Sequence, residues 1–240
     1  MHKEFLMGNE AIALGALAAG VNLVSGYPGT PSTEVLETIA KRNPGNVYVE
    51  WSINEKAGME VAAGAAYSGA RALVTMKQVG LNVASDPLMS LEYIGVKGGM
   101  VVLVADDPGP ISSQTEQDTR TFGMFSKVPV FDPASVAEAY EMIQEAFDFS
   151  EKYGTPVFFR LCGCLYLQRP VVSVRQAEAP LGVFPGFLSF IGVMNIVSYP
   201  VSAIVQSITK QQYDSNCPRD QKNYQYFISS QCNRPPRSPE

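Results

Sequence analysis

Glu55 is the residue of this chain whose setting most invites chemistry. It ends the run Trp51-Ser52-Ile53-Asn54-Glu55, where a short strand predicted over 47–51 passes into a small-residue helix predicted over 54–67. A carboxylate there can complete an S-x-x-E capping box with Ser52, or it can face a ligand crevice from the strand end. A second stretch, Gly26-Tyr27-Pro28-Gly29-Thr30-Pro31-Ser32-Thr33, sets glycines, prolines and hydroxyls between a strand and a helix. Its hydroxyls could hydrogen-bond a ligand carboxylate beside the helix N-terminus. Equally, Thr30 could be a plain N-cap with Pro31 at the first helical position. Lys77-Gln78-Val79-Gly80-Leu81-Asn82 reads as a polar loop after a strand. Ser112-Ser113-Gln114-Thr115-Glu116-Gln117 offers hydrogen-bonding groups but no triad. The only histidine is His2, which excludes a Ser-His-Asp site and a histidine-based metal site. Neither G-x-G-x-x-G nor G-x-x-x-x-G-K-[ST] occurs, so no complete dinucleotide or P-loop site is expected.

The elements that must position these loops alternate. Helices are predicted over 10–19 (with Asn9 as N-cap), 31–42, 54–67, 86–93 and 134–152. Apolar strands fall at 21–25, 47–51, 70–76, 100–105, 128–131 and 156–161. Continuous apolar strands between helices point to a doubly wound α/β fold, a mostly parallel sheet with helices on both faces. Functional groups then sit beyond the C-terminal ends of the strands. The loops at 26–30, 52–55, 77–82 and 105–117 are the ones to watch.

Over 240 residues, 46% hydrophobic and 17% charged content is enough for a packed core. The net charge of -5, without a basic stripe, gives no reason to expect nucleic acid. The N-terminus lacks the pattern of a signal peptide, so a cytoplasmic location is expected. Acidic residues dominate up to residue 161, basic ones afterwards, and all four cysteines lie beyond it. Two segments are therefore expected, 1–161 and 162–240.

Five motifs recur in order: Gly8-Asn9-Glu10-Ala11-Ile12-Ala13, Gly26-Tyr27-Pro28-Gly29-Thr30-Pro31-Ser32, Asn54-Glu55-Lys56, Met76-Lys77-Gln78-Val79-Gly80-Leu81-Asn82-Val83-Ala84 and Val104-Ala105-Asp106-Asp107-Pro108-Gly109. Together they closely resemble the N-terminal pyrimidine-binding domain of the indolepyruvate:ferredoxin oxidoreductase alpha subunit, over about residues 6–161. The enzymes of that 2-oxoacid:ferredoxin oxidoreductase family depend on thiamine diphosphate. The resemblance implies that Glu55 hydrogen-bonds N1′ of the aminopyrimidine, favouring the imino tautomer that activates the thiazolium. It places Tyr27, Pro28, Gly29, Gln78, Gly80 and Asn82 around the cofactor and Thr30 near the substrate carboxylate. Ser112, Ser113 and Gln114 are further pocket candidates. The complete reaction is oxidative decarboxylation of an aryl 2-oxoacid to an acyl-coenzyme A, with electrons leaving through iron–sulfur clusters to ferredoxin. Gln78 stands where the family's Met-Lys-His-Val-Gly motif has histidine. Glutamine cannot shuttle protons, so an acid–base role does not carry over.

Beyond about Cys162 the resemblance stops. The diphosphate-binding domain with its Gly-Asp-Gly magnesium motif and the iron–sulfur segment have no counterpart, and Cys162, Cys164, Cys217 and Cys232 lack cluster spacing. Mg2+ and the clusters are expected in other domains or a partner subunit, and this chain alone is expected to be inactive. The uncharged stretch 181–208 is broken by Pro185 and Pro200 and is not expected to span a membrane. The segment 162–240 reads as foreign to the domain and poorly ordered. The competing reading is a non-catalytic binding or assembly module that keeps the same fold.

Overall fold

The computed structural model describes residues 2–107, 109, 115–166 and 168–175. The expectations for 181–208, for Cys217 and Cys232, and for poor order after residue 175 lie outside the described residues, as do Ser112, Ser113 and Gln114.

In chain order the elements are β1 (His2–Phe5), α1 (Gly8–Ala18), β2 (Leu23–Gly26), α2 (Thr33–Arg42), β3 (Tyr48–Trp51), α3 (Glu55–Tyr67), β4 (Ala72–Lys77), α4 (Gln78–Val83), α5 (Ser85–Ile94) and β5 (Met100–Asp106). Then come α6 (Thr119–Ser126), β6 (Val130–Phe131), α7 (Val136–Tyr153), β7 (Val157–Cys162), α8 (Gly163–Tyr166) and β8 (Val171–Val174). Six strands form one sheet in the order β3-β2-β4-β5-β7-β6, and every pairing in it is parallel. This is the doubly wound α/β architecture expected from the alternation.

The two faces follow from the two-residue period of the strands. Val24, Leu73, Val101, Leu103 and Phe159 turn to the layer of α1, α2 and α7, where Ile12, Leu36, Ile39, Ile143 and Phe147 complete a core. Leu23, Val74, Met76, Val102 and Val104 turn the other way, to Met59, Ala62, Leu81, Leu88 and Leu91 of α3, α4 and α5. All seven residues of β5 are buried, which is why that strand carries no polar alternation. Each such fully buried aliphatic or aromatic side chain contributes about 1.5–3 kcal/mol.

Four local expectations are corrected. Asn9 does not cap α1: it lies inside the helix, buried, and the first turn is closed instead by the Met7 N–H donating to Glu10 Oε2 at 2.7 Å. α2 starts at Thr33 rather than Pro31, because the Ser32 N–H and Oγ–H both return to the Gly29 carbonyl at 2.8 Å and close a turn first. Residues 78–83 are helix rather than loop, and α6 occupies a stretch to which the sequence reading assigned no element. Finally, the described fold continues past 161. Cys162 stays in register with Asp106, and β8 pairs antiparallel with β1, from Phe5 opposite Val171 to His2 opposite Val174. Leu165, Val172 and Val174 belong to the same core as α1 and α7.

Candidate functional site

The connection after β2 runs to β3 on one side, and the connection after β4 runs to β5 on the other. The sheet therefore has its topological switch point between β2 and β4, at the C-terminal ends of two central strands. Three motifs singled out in the sequence meet there: the turn after β2, the start of α3 and the start of α4.

Asn54 caps α3, its side-chain oxygen accepting the Ala57 N–H at 2.8 Å. Ser52 donates instead to Glu50 at 3.0 Å, so the S-x-x-E pattern is not a capping box here. Glu55, the first residue of the helix, is thereby released from capping. Its half-buried carboxylate has no hydrogen-bond or ion-pair partner among the described residues, and it sits at the end of the helix where negative charge is favoured. Gly80 of α4 faces it. A Cβ on Gly80 would fall 2.6 Å from both Cγ and Oε1 of Glu55, so the carboxylate keeps this position against α4 only while residue 80 carries no side chain. On the sheet side, Ser25 Oγ–H donates to the Gly58 carbonyl at 2.8 Å and ties the first turns of α3 to β2.

α4 is anchored from its far side. Gln78, with no exposed surface, donates through Nε2 to the Thr115 carbonyl at 3.2 Å. Asn82 and Gln117 exchange two amide hydrogen bonds, of 2.9 and 3.0 Å. These bonds place Gln78 and Asn82 at the junction of α4 with residues 115–117. Two buried oxygens at the end of β4, Thr75 Oγ1 and Gln78 Oε1, have no partner among the described residues.

The turn after β2 brings Tyr27, Pro28 and Thr30 to the surface and leaves Gly29 half-buried. Gly29 lies under the Lys77 side chain, whose Cδ is 3.2 Å from where a Cβ would stand. Two residues whose part was not legible in the sequence brace this turn and the rim. Asn9 Nδ2 donates to the Pro31 carbonyl at 2.8 Å and to Glu34 at 3.1 Å. Arg160 donates to Asp106 at 2.7 Å and to Asp132 at 3.0 Å, while the Thr119 N–H and hydroxyl both bond Asp106. Burial opposes the charge on Arg160, yet Asp132 and Asp106 outweigh it and hold the guanidinium above its ordinary range. Burial likewise pushes the Asp106 carboxyl up, against the Thr119 and Arg160 hydrogen bonds. Only tertiary contact reveals either brace, since the partners lie 22 and 54 residues apart in sequence.

Residues 14–176 match the family described as Pyruvate flavodoxin/ferredoxin oxidoreductase, thiamine diP-bdg. The chain belongs to this family. It is 50% identical over 163 residues to the indolepyruvate oxidoreductase subunit IorA of Archaeoglobus fulgidus, covering 66% of this chain and 26% of that protein. Against the IorA subunit of Methanothermobacter thermautotrophicus it is 49% identical over 187 residues, covering 76% of this chain and 30% of the relative. The chain thus spans between a quarter and a third of the length of these relatives. A solved 2-oxoglutarate:ferredoxin oxidoreductase from Magnetococcus marinus, with 2-oxoglutarate, coenzyme A and succinyl-CoA bound, superposes with a TM-score of 0.67. That match covers 73% of this chain and 32% of the other at 23% identity, and shows the shared fold. No helix among the described residues is long and apolar enough to cross a membrane.

Proposed function

We propose that this chain supplies the pyrimidine-binding half of a thiamine diphosphate site in an oxidoreductase that decarboxylates an aryl 2-oxoacid of the indolepyruvate type. The observation that carries the reading is the Glu55 carboxylate, uncapped, without a partner among the described residues, and set against Gly80 at the switch point. The residues present suit the cofactor's aminopyrimidine. A carboxylate can share a proton with a ring nitrogen, and a buried amide oxygen such as Gln78 Oε1 can accept from an exocyclic amine. When bound, thiamine diphosphate supplies the carbon nucleophile on which a 2-oxoacid loses carbon dioxide.

On this reading Glu55 holds the proton at the ring nitrogen, and Gly80 keeps α4 close enough to exclude water from that hydrogen bond. Tyr27, Pro28 and Gly29 form the wall opposite, and Thr30 offers its hydroxyl toward the substrate carboxylate. Ser112, Ser113 and Gln114 are assigned to the pocket by the resemblance alone, and Asn82 holds Gln117 ahead of α6. Mg2+, the diphosphate-binding half and the iron–sulfur clusters come from other domains or a partner subunit. Coenzyme A and ferredoxin take up the acyl group and the electrons there, in the cytoplasm.

The test is Glu55→Gln and Glu55→Ala in a complex assembled with the diphosphate-binding subunit. Loss of a positioned acid–base group should lower turnover by about 100-fold or more. Undiminished turnover would sink the assignment. A complex that binds no thiamine diphosphate with the native chain would favour the assembly-module reading instead.

A further inference from the structure

We propose that Lys77 is the counter-charge for the carboxylate of the 2-oxoacid substrate, an inference that rests on the 2-oxoacid reading above. Lys77 is the last residue of β4, at the switch point. Its neighbours in the pairing direction are the residues that follow Gly26, because Gly26 is in register with Thr75. The stem of the side chain crosses Gly29, with Cδ, Cγ and Cε between 3.2 and 3.6 Å from where a Cβ would stand. A Cβ at position 29 would press on that stem, which would have to give by a few tenths of an ångström. The glycine therefore leaves room for the lysine to cross the turn that continues into Thr30.

Around the same rim Lys56 is held by Asp86 at 2.7 Å, Arg120 by Asp118 at 2.6 Å and Arg160 by Asp106 and Asp132. Lys77 has no carboxylate within ion-pair distance among the described residues. It is also half-buried, so a charge brought to it is less screened than at an open surface. Two positions back on the same face of β4, the buried Thr75 Oγ1 has no partner among the described residues. A half-buried lysine beside a hydroxyl-bearing turn and a buried hydroxyl able to donate is a site for a small oxygen-rich anion rather than a structural ion pair. The Glu55 carboxylate at Gly80, one turn of α4 away, repels an anion from its own side. This places the carboxylate end of the substrate at Lys77 and leaves the Glu55 side for the cofactor ring.

The Lys77 site lies wholly within this chain, so its test needs no partner. Phenylpyruvate and its uncharged methyl ester are titrated calorimetrically into the full 240-residue chain and into its Lys77→Met, Lys77→Arg and Lys97→Met variants. Methionine keeps the apolar stem over Gly29, and Lys97 is an exposed lysine at the opposite end of the sheet. The expected result is a loss of about 10- to 100-fold in phenylpyruvate affinity for Lys77→Met, the range for a hydrogen bond to a charged group. Lys77→Arg and Lys97→Met should stay within a few-fold of the native chain, and the ester should bind every variant alike. Equal binding of phenylpyruvate by the native chain and Lys77→Met, or no binding by the native chain, overturns the role of Lys77. The cofactor reading is judged separately, by thiamine diphosphate binding to the assembled complex with and without Glu55→Ala.

Discussion

A glycine can matter at a site by what it does not carry. At position 80 a single methyl group would overlap the carboxylate of Glu55. Gly80→Ala should therefore act as an indirect Glu55 variant: the side chain must swing away from α4 or α4 must back off the sheet. We expect thiamine diphosphate affinity in the assembled complex to fall by at least 10-fold while circular dichroism and the melting curve change little. A loss of fold in that variant would show that Gly80 serves packing instead. The position of Glu55 between a strand and a helix was legible in the sequence, while the capping box with Ser52 that the pattern offered does not form. Asn54 and Ser52 are both good caps, and only the observed bond from the Ala57 N–H decides between them. Lys77 was legible as a loop residue and no more, because its bearing depends on Gly29, 48 positions earlier in the chain.

Between elements, α1 packs closely on α7 at Gly15, where a Cβ would meet Ile143 Cγ2 and lie 2.6 Å from the Tyr140 carbonyl. Gly15→Ala should cost about 1–3 kcal/mol, the usual range for overpacking, read as a lower urea midpoint at unchanged slope. Ser150 of α7 accepts the Met100 N–H at 2.8 Å and donates to the Thr155 carbonyl at 2.6 Å, and it is fully buried. Ser150→Ala leaves both backbone groups unsatisfied and should cost about 1–3 kcal/mol. At the N-terminal end of the sheet Arg71 ties α7 down, bonding Glu151 at 2.7 and 2.8 Å, Asp148 at 2.8 Å and the Ala19 carbonyl at 2.7 Å. Its hydrogen bonds hold the Glu151 carboxyl below the ordinary range. A carboxyl lowered in the folded state stabilises above its unfolded pKa, about 4.3, and that share is lost as the pH falls through the lower folded value. Thermal stability should drop on acidification through that window, and Arg71→Met should flatten the drop. The long amphipathic α7 was readable from its apolar period. The short α4 and α6 were not, since six and eight residues hold too few turns to display one.

For the molecule as a whole, the two-stranded sheet of β1 and β8 sets how much chain the domain needs. The shift in charge and cysteine content near residue 162 marked a boundary by composition, yet Leu165, Val172 and Val174 pack into the first core. No local signal in a four-residue strand announces a partner about 170 residues away in the sequence. A chain shortened to residues 1–161 loses three core side chains, each worth about 1.5–3 kcal/mol when fully buried, and exposes Leu6 and one face of α1. It should unfold at clearly lower urea than residues 1–175, and equal midpoints would show that β8 adds nothing. The same pairing has a topological consequence. With His2 opposite Val174, the entry and exit of the domain lie side by side. A short linker from Arg175 to His2, with new ends opened at Gly45, an exposed turn position at φ 99 with open space where a Cβ would stand, should give a circular permutant that rebuilds all six parallel strands. In that permutant β3, Glu55 and Lys77 would come first in the chain and the Thr30 turn last, with the switch point unchanged.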